Sequence, residues 1–136
     1  MVRPINKDTF FLSLKSAPAT VMDLPAAQDL RDTLAAHADS CVGMAANMIG
    51  TAKRIIIFDN NGVPSVMFNP EILRKTGAYK TEEGCLSLQG VRPVTRYQRI
   101  RVRYQDSSFH TKEQVFTGRT AQIIQHEVDH CDGILI

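Results

Sequence analysis

From Asp23 onward, apolar residues return at three- and four-residue intervals. Leu24, Ala27, Leu30, Leu34 and Ala38 form one stripe, while Asp29 and Asp32 fall outside it. That period predicts an N-terminal amphipathic helix. Asp23 suits its cap and Pro25 its first turn. His37, near its end, reads as a surface or capping residue. Before it, Phe10, Phe11, Leu12 and Leu14 are interrupted by Ser13, Ser16 and Pro18. Residues 1–22 are therefore expected to form an arm or short helical turn packed on the body. After residue 50 the pattern changes to strands. Arg54 to Phe58 is apolar and β-branched, Asn60-Asn61-Gly62 is a turn signal, and Val63 to Phe68 returns. Asn69-Pro70 is expected to end that strand. Ile72-Leu73 starts another, expected to break at Gly77. Ile100 to Tyr104 alternates apolar and polar, so one of its faces is wet. Asp106-Ser107-Ser108 turns the chain, His110 lies in that solvated region, and Gln114 to Phe116 is a further strand. A last helix spans roughly 119–131, with Ala121, Ile124 and Val128 towards the core and Gly133 as its stop. Gly133 to Ile136 reads as a short edge strand. These elements predict an α+β fold: mainly antiparallel β-sheets packed around the C-terminal helix, with an N-terminal helix.

Composition narrows the class. The 136 residues suit a single domain, 1–136. Hydrophobic residues make up 43% and charged residues 22%, with a formal charge of +2 and the signs interspersed. At this level nothing indicates direct nucleic-acid binding or a membrane partner. No apolar run approaches the ~20 residues of a membrane span. The first residues carry no signal-peptide core, so a cytoplasmic location is expected. Three cysteines, Cys41, Cys85 and Cys131, are an odd number, which argues against a disulfide framework.

The last helix carries the chemistry. His126-Glu127-Val128-Asp129-His130 places two imidazoles one turn apart on one face. They can share a metal ion, and Glu127, about 100° around the helix, can reach a water on that ion without being a ligand. A catalytic site of this kind needs a third protein ligand. Downstream there are only Cys131 and Asp132. Cys131 points away from its neighbour His130 and reads as a small buried residue. Upstream the best candidate is Cys85, which Gly84 precedes. Taken alone, Cys85 reads more readily as a buried structural thiol than as a ligand. The small-residue stretch from Cys41 to Gly50 lets backbone approach something closely.

Glu83-Gly84-Cys85-Leu86-Ser87, followed by Gln125-His126-Glu127-Val128-Asp129-His130, resembles the second and third motifs of peptide deformylases in order and spacing. Gly43, Ala45, Ala46 and Gly50 fall into register with the first. The resemblance covers roughly Asp23 to Ile136. It implies removal of the N-formyl group from the N-terminal methionine of nascent polypeptides, some of them at the ribosome. It makes Cys85, His126 and His130 the ligands of one divalent metal ion, Fe²⁺ in the family, with Zn²⁺, Ni²⁺ or Co²⁺ as alternatives. It also implies that Glu127 moves the proton from the attacking water to the leaving amine. The backbone N–H of Leu86 would meet the oxyanion. Val42, Gly43, Leu86 and Ile123 would bind the substrate.

Two positions depart from the family pattern. Cys41 replaces its first Gly, and Met48 replaces a Gln whose amide donates to the oxyanion. A thioether cannot donate. Asn47 has an amide, but one residue out of place. Reduced activity is therefore expected. An alternative is a weak or inactive relative that binds metal and peptide N-termini. A third reading is a hydrolase for another N-acyl group. Asp129 is expected to accept a hydrogen bond from a basic residue within 92–103, and Glu82 to be solvated. Glu83 belongs to the motif but is not expected to be catalytic.

Overall fold

The computed structural model describes all 136 residues. One antiparallel sheet has the order β1-β2-β3-β4-β5: β1 Gly43–Ala45, β2 Ile55–Asn60, β3 Val63–Cys85, β4 Leu88–Gln105 and β5 Thr111–Thr117. Three helices accompany it: α1 Thr9–Leu12, α2 Leu24–Ala36 and α3 Gly118–Cys131. The α+β arrangement around a C-terminal helix is as the sequence pattern implies.

The apolar run of β2 explains how the sheet is covered. A strand buried on both faces reads as a continuous hydrophobic stretch. Ile56 and Phe58 join Ile100, Val102, Phe116 and the α3 residues Ala121, Ile124 and Val128 on one side. Ile55 and Ile57 join Ala27, Leu30 and Leu34 of α2 on the other, together with Met44 and Met48. Burial of each such side chain contributes roughly 1.5–3 kcal/mol. α3 is thereby pressed against the sheet, and its site-bearing face is fixed.

Several local expectations change. β3 does not end at Asn69-Pro70. Asn69 adopts φ 53°, a bulge shifts the register between Phe68 and Glu71, and the strand continues. The Asn69 side chain bonds both the N–H and the C=O of Ala19, which ties the arm to this bulge. Gly77, with φ 77°, stays inside the ladder between Thr76 and Ala78. β3 and β4 therefore form one long ribbon through residues 88–99, where the sequence showed no strand. Asp23 occupies the N-cap position of α2, but its side chain makes no capping bond to that helix. Its carboxylate accepts the Thr20 N–H at 2.8 Å, and a 3-10 turn, Val21–Asp23, leads into the helix. Gly133 to Ile136 is not a strand. The N–H of Gly133 bonds His130 O and that of Ile134 bonds Asp129 O, so the segment closes the end of α3. The arm behaves as expected: Leu12 is buried, and the Ser16 N–H reaches Cys131 O. His37 ends α2 with its ring on Thr33 O, and His110 is exposed. No helix is long and apolar enough to cross a membrane.

Candidate active site

The end of β3 and one face of α3 meet at a cluster of three side chains. Cys85, His126 and His130 each offer one ligand atom, all within 4.8 Å of one another. The helical spacing stacks the two imidazoles, and the β3–β4 ribbon delivers Cys85. Cys131 lies elsewhere: it is fully buried and its thiol is pushed up to about 12 by burial.

The hydrogen bonds around His126 fix its orientation. Its Nδ1 faces Glu83 Oε1 at 2.8 Å, which leaves Nε2 pointing into the cluster. Glu83 is itself held by Arg96 through Nε at 3.0 and 3.1 Å and Nη2 at 2.7 Å, and by Gln122 Nε2 at 2.9 Å. Burial would raise the Glu83 carboxyl, but donors from His126, Arg96 and Gln122 outweigh it and hold it at about 2. Arg96 also donates to Asp129 at 2.6 Å, so one buried guanidinium clamps the ribbon to α3. This is the basic partner expected for Asp129. Gln125 adds a second clamp, accepting from the Tyr97 N–H and donating to its C=O, both at 2.9 Å.

The donor set fits a metal ion. His126 Nε2 and His130 Nε2 face each other at 3.1 Å. Two imidazole lone pairs at that distance repel unless a cation, a proton or a metal ion, lies between them. One thiol and two imidazoles are suited to a divalent transition metal. Burial and the neighbouring His126 depress the His130 imidazole. Burial also opposes protonation of His126, but hydrogen bonds with Cys85 and Glu83 outweigh it and raise that ring.

Glu127 lies beside this cluster. It is buried, and its Oε1 has no hydrogen-bond partner. Burial, the largest influence, pushes the carboxyl up to about 7. Gly43 allows this placement. A Cβ at Gly43 would lie 2.8 Å from Ile123 Cγ2 and 2.9 Å from Glu127 Oε2.

A cavity of about 570 Å³ opens onto these groups. Val42, Gly43, Leu86 and Ile123 all line it, together with Cys85, His126 and Glu127. His130 lies behind them, fully buried. Met48 also lines the cavity and is 1% exposed, with its Sδ accepting the Ala45 N–H at 3.5 Å. Asn47 points elsewhere: its Nδ2 donates to His130 O at 2.8 Å and supports α3. Sequence reasoning missed Arg119 and Gln122 in the lining. The signal was present, because 119, 122, 123 and 126 recur at three- and four-residue spacing on one helix face.

The family model for polypeptide deformylase matches residues 7–136. The chain belongs to the peptide deformylase family. A peptide deformylase of Clostridium beijerinckii is 53% identical over 136 residues, the whole of both chains. Peptide deformylase 3 of Shewanella oneidensis is 35% identical over 127 residues, covering 88% of this chain and 78% of that one. Among solved structures, the class I type b peptide deformylase of Acinetobacter baumannii bound to Met-Ala-Ser superposes with a TM-score of 0.89 at 33% identity. It covers 99% of this chain and 97% of that one. The same enzyme bound to actinonin gives 0.88 at 36% identity, covering 99% and 95%. As a family member the chain is a metallo-amidohydrolase of the peptide deformylase type, and the Cys85, His126 and His130 cluster is its candidate divalent-metal site.

Proposed function

We propose that this chain removes the formyl group from N-formylmethionyl ends of nascent polypeptides in the cytoplasm, some of them at the ribosome, acting as a single domain over 1–136. The observation that carries the reading is the buried, unpartnered Glu127 carboxylate, which shares one cavity with Cys85 and His126. Cys85, His126 and His130 would hold one divalent ion, Fe²⁺ in preference to Zn²⁺, Ni²⁺ or Co²⁺. When bound, such an ion supplies Lewis acidity, which lets water act as a nucleophile at neutral pH.

The chain's own groups supply the remaining steps. Glu127 Oε1 takes a proton from the attacking water and returns it to the amine nitrogen as the C–N bond breaks. Burial raises this carboxyl above the ordinary glutamate range, which suits a group that must both take and return a proton. The Leu86 N–H, which enters no turn or loop hydrogen bond, donates to the oxyanion. Val42, Leu86 and Ile123 enclose the methionine side chain, and Gly43 offers backbone to the peptide. Met48 leaves the oxyanion one donor short. Loss of such a donor typically costs ~10²–10³ in turnover, so the enzyme is expected to be slow. The test is formate release from a formyl-methionyl peptide by anaerobically Fe²⁺-loaded protein. Release above a Glu127→Ala control supports the reading, and release equal to that control removes it.

A further inference from the structure

The sheet face turned away from α3 carries a ladder of arginines. Ile100 and Val102 of β4 point into the core beneath α3. Arg99, Arg101 and Arg103 alternate with them, point the opposite way and are exposed. α2 covers this face only near β1 and β2, where Ile55, Ile57 and Phe68 lie. Arg74 of β3 stands directly opposite Arg101, and Thr76 stands opposite Arg99. Arg74, Thr76, Arg99, Arg101, Ile100 and Val115 line a cleft of about 280 Å³ that has no carboxylate in its lining. The carboxylates near the ladder gather at its Arg103 end: Glu113 reaches Arg103 at 3.5 Å and Arg101 at 4.0 Å, and Glu71 stands opposite Arg103.

Like charges directly opposite in a sheet destabilise it, and of the facing pair Arg74 has no ion-pair partner while Arg101 has only the distant Glu113. We propose that this face binds the phosphodiester backbone of a single-stranded nucleic acid, without reading its sequence. Alternate residues of a strand are about 6–7 Å apart, so Arg99, Arg101 and Arg103 form a straight row rather than a convergent point. A row matches a linear polyanion, and guanidiniums bind phosphate oxygens in pairs. A membrane surface fits less well, because no large apolar side chain is exposed between residues 92 and 133 to anchor in lipid. The formal charge of only +2 conceals the ladder, since the alternation that separates core from solvent also gathers the arginines on one face.

The test is fluorescence anisotropy of a labelled oligouridine 12-mer with the full chain across a salt series, beside a DNA oligomer of equal length. Both should bind, with affinity falling as salt rises. The triple variant Arg74→Gln, Arg99→Gln, Arg101→Gln should lose about tenfold or more at low salt. Its log–log salt slope should flatten by about 2, from three lost phosphate contacts at about 0.7 each. The double variant Lys7→Gln, Lys15→Gln, changed on the exposed arm, should bind as the parent does. Because the triple substitution relieves like-charge repulsion, its melting temperature should hold or rise, which separates lost binding from lost folding. Should the triple variant unfold, Arg99→Gln alone should still weaken binding severalfold. Undiminished binding by the arginine variants overturns the proposal. So does complete displacement by millimolar inorganic phosphate, which would mark a compact-anion site. Binding to phosphatidylserine vesicles without binding to either oligomer overturns it as well.

Discussion

At the scale of single residues, Glu127 is the group whose environment is most informative. A free carboxyl titrates at 4.5, and this one is pushed up to about 7 by burial. The folded chain therefore holds that proton more tightly than the unfolded chain does. Its contribution to stability is fully present below about 4.5 and is lost as pH rises through 7. Glu127→Gln removes the buried charge while keeping the shape. In metal-free protein at pH 8 the variant is expected to be more stable, by on the order of 1–3 kcal/mol. At pH 4 the two should be close. Denaturant unfolding with chelator present measures this, and equal stability at pH 8 would contradict the burial argument. The same substitution removes the proposed proton-transfer group, so formate release should fall by ~10²-fold or more.

At the scale of elements, the β3–β4 ribbon and α3 are joined by one buried network: Glu83 and Arg96 from the ribbon, His126 and Asp129 from the helix. Arg96→Met leaves the Glu83 carboxylate buried without its main partner. Such losses typically cost about 3–5 kcal/mol, and disturbed support of a metal-binding imidazole weakens metal affinity about 10- to 100-fold. Thermal melts and competitive chelation should show both effects, and a variant with native metal affinity would sever the ribbon from the site. The arm meets the end of α3 at Gly133. A Cβ there would lie 2.4 Å from Ser13 O, and φ is +76°. Gly133→Ala should therefore lower the melting temperature, with the backbone conformation alone costing about 1–2 kcal/mol. His126, Glu127 and His130 were legible because helical spacing stacks them. β2 was legible because both its faces are buried. The ribbon was not, because residues 74–82 and 89–99 are largely exposed, so no alternation marks them. Asn69 misled because a left-handed asparagine bends a strand as readily as it ends one. The Glu83–Arg96 pair was hidden because the residues are 13 apart in sequence and meet only through the ladder.

At the scale of the whole molecule, the fold delivers three candidate ligands, a buried carboxylate and a cavity to one place, and the helix spacing and the Cys85 motif made that site readable in advance. Its departure is equally local: Met48 is 1% exposed in the cavity lining and Asn47 is committed to His130 O. Neither residue therefore offers a free side-chain amide to the cavity. On the proposed function, the enzyme would have its metal ligands and proton-transfer group but lack one oxyanion donor. The direct measurement is the turnover number for formate release from a formyl-methionyl peptide. It is made on anaerobically Fe²⁺-loaded parent and Met48→Gln proteins, with metal content matched. Activity in the parent should exceed the Glu127→Ala control, and kcat should rise about tenfold or more for Met48→Gln, with little change in KM. Equal kcat values for parent and Met48→Gln at equal metal content would rule out an oxyanion deficit at position 48.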